Sequence, residues 1–163
     1  MDAEHVSHAV LIGNSLGGPV AIEAALLAPT RVLAVIGIDT PEHAQKTTEA
    51  WRNDPQGSMD QMLRMLLHID LDAALYEDIR GRMSRCAMFR SFGGYDLAGA
   101  VAKLRVPLRC INGNKFPINF EELRRVVPGF EPVVLPHIGH YPMLECPDEF
   151  NRVLGVTPSV PVA

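Results

Sequence analysis

The sequence is poor in the features that serve metals, membranes and nucleic acids. Its three cysteines, Cys86, Cys110 and Cys146, are odd in number and lack metal-type spacing. Neither a disulfide framework nor a cysteine metal site is expected, and they are read as reduced thiols. No apolar run approaches the roughly 18 residues of a spanning helix. The opening residues Met1-Asp2-Ala3-Glu4-His5 have neither a basic nor an apolar stretch. No secretion signal is expected, and the chain is read as cytoplasmic. A net charge of -4 makes a general nucleic-acid or anionic-membrane binder a poor fit. Internal repeats and a second-domain linker are also missing. What is present suits one globular domain: 163 residues, 47% hydrophobic and 21% charged, a composition that excludes disorder as the main state.

Val10-Leu11-Ile12 is an apolar run too short for a helix and stopped by glycine, so a buried strand is expected there. Val20 to Leu27 is rich in Ala and Leu and is expected to be helical up to Ala28-Pro29. Val32 to Ile38 lacks polar alternation, as a strand covered on both faces does. Together these make a βαβ unit with a parallel strand pair. From Pro41 to about Lys103 the character changes. Met59, Met62, Leu63, Leu66 and Leu67 fall at helical spacing, as do Leu71, Leu75 and Ile79. A helical insertion over about 41–95 is expected within a single domain spanning 1–163, and its Met stripe is read as packing rather than as a cofactor box. Phe89, Phe92, Tyr95, Met62 and Met65 suggest an apolar pocket. A helix near Leu97 to Leu104, a strand Val106 to Asn112, a helix Phe120 to Val127 and a strand Glu131 to Pro136 follow. Pro147 to Leu154 reads as a closing helix, and the tail from Thr157 as frayed.

Gly13-Asn14-Ser15-Leu16-Gly17 is G-x-S-x-G between an expected strand and an expected helix, the context a nucleophile elbow requires. The turn is sharp, so the residues flanking the serine at two positions' distance must be small. The helix behind it offers free N–H groups and a positive dipole end, and the Leu16 N–H is the candidate oxyanion donor. The bland alternative is a glycine-rich turn with an incidental serine. A serine needs a base, and the base follows the acid late in such chains. His140, after Gly139 and just past the last expected strand, is the candidate. His137 is its local competitor, while His5, His8, His43 and His68 have no supporting context.

Gly13 to Pro19, the strand end Val35-Ile36-Gly37-Ile38-Asp39-Thr40, and Ile138-Gly139-His140-Tyr141-Pro142-Met143-Leu144-Glu145 before Pro147-Asp148-Glu149-Phe150 resemble the α/β-hydrolase superfamily. The resemblance runs from about Val6 to Leu154. It implies an α/β fold, in part an α/β-hydrolase fold, with about four mostly parallel strands flanked by helices and a helical cap. It also implies a serine, histidine and acid that hydrolyse esters, amides, epoxides or carbon–halogen bonds, or transfer acyl groups. The ester chemistry needs no metal or organic cofactor.

The sequence departs from that superfamily twice. The loop after the strand that follows the cap usually carries the acid, and here it reads Asn112-Gly113-Asn114-Lys115. Asn114 carries no charge to stabilise an imidazolium, and an asparagine can favour the wrong tautomer. Asp39, one strand earlier, fits the position some members use; a turn or N-cap aspartate before Pro41 is its competing reading. Glu145, on the histidine's own loop, is a weaker substitute. Second, only a handful of residues precede Val10, so the likeness is to the superfamily's C-terminal half, and the loop that normally gives a second oxyanion N–H has no counterpart. The elbow strand would then be a sheet edge open to pairing, and a homodimer through it is expected.

The sequence thus favours a serine hydrolase, most simply a carboxylesterase of small acyl esters, with Ser15 as nucleophile, His140 as base, Asp39 as acid and Leu16 N–H as oxyanion donor. The alternative is a non-catalytic or degenerate module of the same scaffold that binds or assembles. Acyl transfer or C–C hydrolysis on the same scaffold is not separable from sequence, because specificity lies in pocket geometry.

Overall fold

A computed structural model describes residues 1–40, 53–54, 57–58, 60–61, 73–85, 95–115 and 120–155. Among them lie strands β1 (Ala9–Asn14), β2 (Val32–Ile38), β3 (Leu108–Gly113) and β4 (Val133–Leu135). The helices are α1 (Gly17–Leu27), α2 (Ala73–Arg85), α3 (Leu97–Val101), α4 (Glu121–Val126), α5 (Pro142–Glu145) and α6 (Pro147–Gly155). The strands form one sheet in the order β1-β2-β3-β4, with every pair parallel. The α/β architecture expected from alternating strand and helix patterns is what the chain adopts. Two compact units divide it, Met1–Glu42 with Leu97–Ala163, and His43–Asp96.

Within the first unit, β2 is buried at every residue but Leu33, as expected of an apolar run without polar alternation. Helix α1 packs on β1 and β2, and α3 packs beside both α1 and α4. Phe150 and Val153 of α6 join Ile36, Ile38, Ile111 and Leu135 in an apolar cluster on the sheet. Val10 and Ile12 of β1 stand in register with Ala34 and Ile36, so they continue that face of the sheet towards its edge. There they stay 42% and 51% exposed. Strand β1 is an edge of the described sheet.

Several elements differ in length from the sequence expectation. Strand β3 opens at Leu108 rather than Val106, because Pro107 has no N–H for the ladder and contributes only its carbonyl, which accepts from Val35 N–H at 2.9 Å. Strand β4 is confined to Val133–Leu135, between Pro132 and Pro136. Helix α1 starts at Gly17, three residues before the Ala- and Leu-rich stretch. The unanticipated α5 is one turn with Pro142 at its start, a position proline favours. In the second unit α2 carries Leu75 and Ile79 of the expected helical spacing, although Leu75 is 46% exposed. Met59, Met62, Leu63, Leu66, Leu67 and Leu71 lie outside the described residues, as do Met65, Phe89, Phe92, Cys86, His43 and His68.

Close approach fixes the turn between β1 and α1. A Cβ on Gly13 would lie 2.0 Å from the Gly17 carbonyl oxygen, and one on Gly18 would lie 2.2 Å from Thr40 Oγ1. A Cβ on Gly17 would meet nothing within 4 Å among the described residues. The expectation that both glycines flanking the serine are sterically required is thus corrected: the demand falls on Gly13 and Gly18. Gly13→Ala is expected to destabilise the chain by about 1–3 kcal/mol or more through backbone displacement, whereas Gly17→Ala should stay within about 1 kcal/mol of the parent. Thermal unfolding of the two variants checks this; equal losses would contradict it.

Candidate active site

Ser15 is the first residue after β1, and it has φ 53°. A non-glycine residue in this left-handed region stores about 1–3 kcal/mol of strain and persists only where its surroundings hold it. Here its own N–H donates to the Ile38 carbonyl at 2.8 Å, and its carbonyl accepts from Gly18 N–H at 3.0 Å. The chain therefore leaves β1 pinned to the end of β2, turns, and enters α1 with Leu16 at the N-cap. Among the described residues the Leu16 N–H has no acceptor. It stands at the positive end of the helix dipole, where an anionic oxygen is favoured.

Asp39 follows β2 directly, in register with the turn that carries Ser15. It too has a positive φ, 42°, and its N–H donates to the Ile111 carbonyl at 3.0 Å. Its carboxylate Oδ2 is hydrogen-bonded to Nδ1 of His140, a residue 101 positions later in the loop after β4. The His140 side chain is 7% exposed and that of Asp39 15%. A carboxylate can only accept this bond, so the neutral ring carries its proton on Nδ1 and leaves the Nε2 lone pair available. The Ser15 hydroxyl and the His140 ring share no hydrogen bond among the described residues. Such catalytic contacts are often long without substrate.

The other candidates fall elsewhere. Asn114 does not reach the base: its Oδ1 accepts from His137 N–H at 2.7 Å. His137 is exposed and has φ 63°, so it belongs to the loop turn. The Glu145 carboxylate is committed to backbone, Oε2 accepting from Gly139 N–H at 2.9 Å and Oε1 from Tyr141 N–H at 3.2 Å. It grips both neighbours of His140. Burial pushes the Cys146 thiol above its ordinary value, and its Sγ–H donates to the Pro142 carbonyl at 3.4 Å, which makes it a poor nucleophile. Among the described residues no group of three or more His, Cys, Asp or Glu could hold a metal ion.

Two contributors were invisible in the sequence. Thr40 is 6% exposed and fills the room left by two absent Cβ atoms, since one on Gly37 would lie 2.8 Å and one on Gly18 2.2 Å from its Oγ1. Among the described residues that hydroxyl has no hydrogen-bond partner. Asn14 Nδ2 donates to the carbonyls of Ile38 at 3.1 Å and His140 at 3.3 Å. A donor side chain inside the elbow motif was the available signal, but its acceptors are set by chain segments far away in sequence.

The chain resembles several proteins of known structure. A thermophilic esterase is 28% identical with a TM-score of 0.62, the match covering 93% of this chain and 66% of the esterase. The N-acyl homoserine lactonase AidH, solved with N-butanoyl homoserine, is 25% identical with a TM-score of 0.65, covering 95% of this chain and 64% of that one. A protein described as an N-acyl homoserine lactone degrading enzyme is 22% identical with a TM-score of 0.65, covering 96% and 70%. Across such structures the chain spans 57% to 70% of the neighbour's length. No curated protein matches by sequence. The model of the alpha/beta hydrolase family matches residues 2–153, nearly the whole of the chain that carries the serine turn and the aspartate–histidine pair, and the chain belongs to that family.

Proposed function

We propose that this alpha/beta hydrolase is a serine carboxylesterase acting on small acyl esters, and that two copies pair through β1. The observation that carries the enzymatic reading is the hydrogen bond from His140 Nδ1 to Asp39. It orients a buried imidazole with Nε2 free, beside a strand end whose neighbour presents a strained serine. Neighbours described as an esterase and as a lactonase, at 28% and 25% identity, support carboxylic esters as the substrate class.

In this reading Ser15 Oγ attacks the acyl carbonyl while His140 Nε2 accepts its proton. The oxyanion accepts a hydrogen bond from Leu16 N–H. The C–O bond to the alcohol breaks, and the alcohol leaves with the proton from His140. Water then attacks the acyl-serine, with His140 again taking and returning the proton, and the carboxylic acid departs. Asp39 keeps its charge and stabilises the transient imidazolium. Burial of the pair excludes water that would screen this attraction.

Hydrolysis of a short-chain aryl ester by the purified chain tests the chemistry. The parent is expected to turn over and Ser15→Ala to match the buffer blank. Asp39→Asn should lower kcat by on the order of 10²–10⁴-fold. Parent activity equal to the blank, or Ser15→Ala activity equal to the parent, would contradict the reading.

The pairing proposal rests on β1 being a sheet edge with Val10 and Ile12 exposed beside it, since an unpaired edge with apolar neighbours is a template for another strand. Sedimentation at micromolar concentrations should show a dimer that Ile12→Lys weakens. A monomer throughout that range would refute it.

A further inference from the structure

One side chain that is neither nucleophile, base nor acid meets the backbone beside all three. Asn14 immediately precedes Ser15. Its Nδ2 donates to the carbonyl of Ile38, the residue immediately before Asp39, and to the carbonyl of His140 itself, at 3.1 and 3.3 Å. Both neighbours are carbonyl oxygens, so the amide must present its nitrogen to them. Its two N–H groups meet two acceptors, one on β2 and one on a loop more than a hundred residues later.

The other attachments of these segments are local to pairs. Backbone bonds join Ser15 to Ile38 and Asp39 to Ile111, and the Glu145 carboxylate holds Gly139 and Tyr141 from within the histidine's own loop. The Asn14 amide instead joins the base loop to the strand end that carries the nucleophile. The ring itself is tied to Asp39 through Nδ1. That bond fixes one ring atom and leaves rotation about it. A second tie at the His140 backbone holds the point from which the ring hangs, which restricts where Nε2 can lie relative to the β1 end.

We propose that Asn14 is a positioning residue that sets where the His140 Nε2 lone pair points. The proposal rests on the Ser15, His140 and Asp39 reading above. Asn14 touches no reacting atom; it acts through the His140 carbonyl. A misplaced base costs rate while leaving substrate binding intact, and an error of about 1 Å can cost about 10²-fold.

The test reads two signals on the full chain, each for the parent, Asn14→Leu, Asn14→Gln and Asp39→Asn. One is the downfield proton resonance of His140 Nδ1–H produced by its bond to Asp39. The other is the kcat and KM for a short-chain aryl ester. The resonance should be present in the parent, lost in Asp39→Asn, shifted or broadened in Asn14→Leu and retained in Asn14→Gln. For Asn14→Leu, kcat should fall about 10–100-fold with KM within about twofold, and Asn14→Gln should recover part of the loss. A folded Asn14→Leu with the parent's resonance and kcat would overturn the proposal while leaving the site reading intact. A parent without the resonance, or a resonance that survives Asp39→Asn, would overturn the pairing of Asp39 with His140 and this proposal with it. If Asn14→Leu does not fold, Asn14→Asp, which keeps size and polarity but cannot donate, decides by the same two signals.

Discussion

The end of β2 is the constraint on which the candidate site depends. The Ile38 carbonyl accepts the Ser15 N–H at 2.8 Å and the Asn14 amide at 3.1 Å. The next residue is Asp39, whose carboxylate holds His140. The serine turn, Asp39 and His140 are thus fixed relative to one strand terminus by hydrogen bonds, in a parallel sheet whose register sets Asn14 opposite Ile38. Parallel order matters because it brings the carboxyl ends of neighbouring strands to one edge, where loops can meet. At the ends of β1 and β2, Ser15 and Asp39 have positive φ. Their strain is sustained by the buried sheet beneath them, in which Val35 and Ile111 are fully buried.

The packing that supports this edge is uneven. Ile36, Ile38, Ile111 and Leu135 are covered by Phe150 and Val153, so the strand ends bearing Asp39 and the histidine loop sit on a closed apolar cluster. Strand β1 shares the same face but leaves Val10 and Ile12 exposed. The serine turn is therefore secured by its contacts with β2 and α1. Gly13 admits a backbone approach that any side chain would block, and Thr40 occupies the space that Gly18 and Gly37 leave open.

Much of this was legible in the sequence where the physics is local. A glycine-stopped apolar run gave β1, an apolar run without polar alternation gave β2, and Ala-rich composition gave α1. The G-x-S-x-G pattern pointed to the serine turn because tight geometry demands small residues nearby. Strand ends were misjudged by one or two residues where Pro107 and Pro136 intervene. The single turn α5 was missed although Pro142 marked its start. The order of residues favoured Asp39 over Asn114 and Glu145 as the acid, but the contact itself was not legible in the sequence. It depends on which side chain meets a histidine across as many as 101 positions, and no local pattern encodes that distance. Likewise the motif by itself assigns Asn14 no role; the two carbonyls that its amide meets come from β2 and from the loop after β4.

The central claim is that Ser15 is activated by a histidine held on Asp39. Reaction with a fluorophosphonate addresses it most directly, because the serine oxygen must displace fluoride at phosphorus and the adduct can be mapped by mass spectrometry without knowing the substrate. A single adduct on Ser15 is expected, formed by the parent and suppressed when His140 is changed to Ala. An unmodified Ser15, or labelling that proceeds equally without His140, would contradict it.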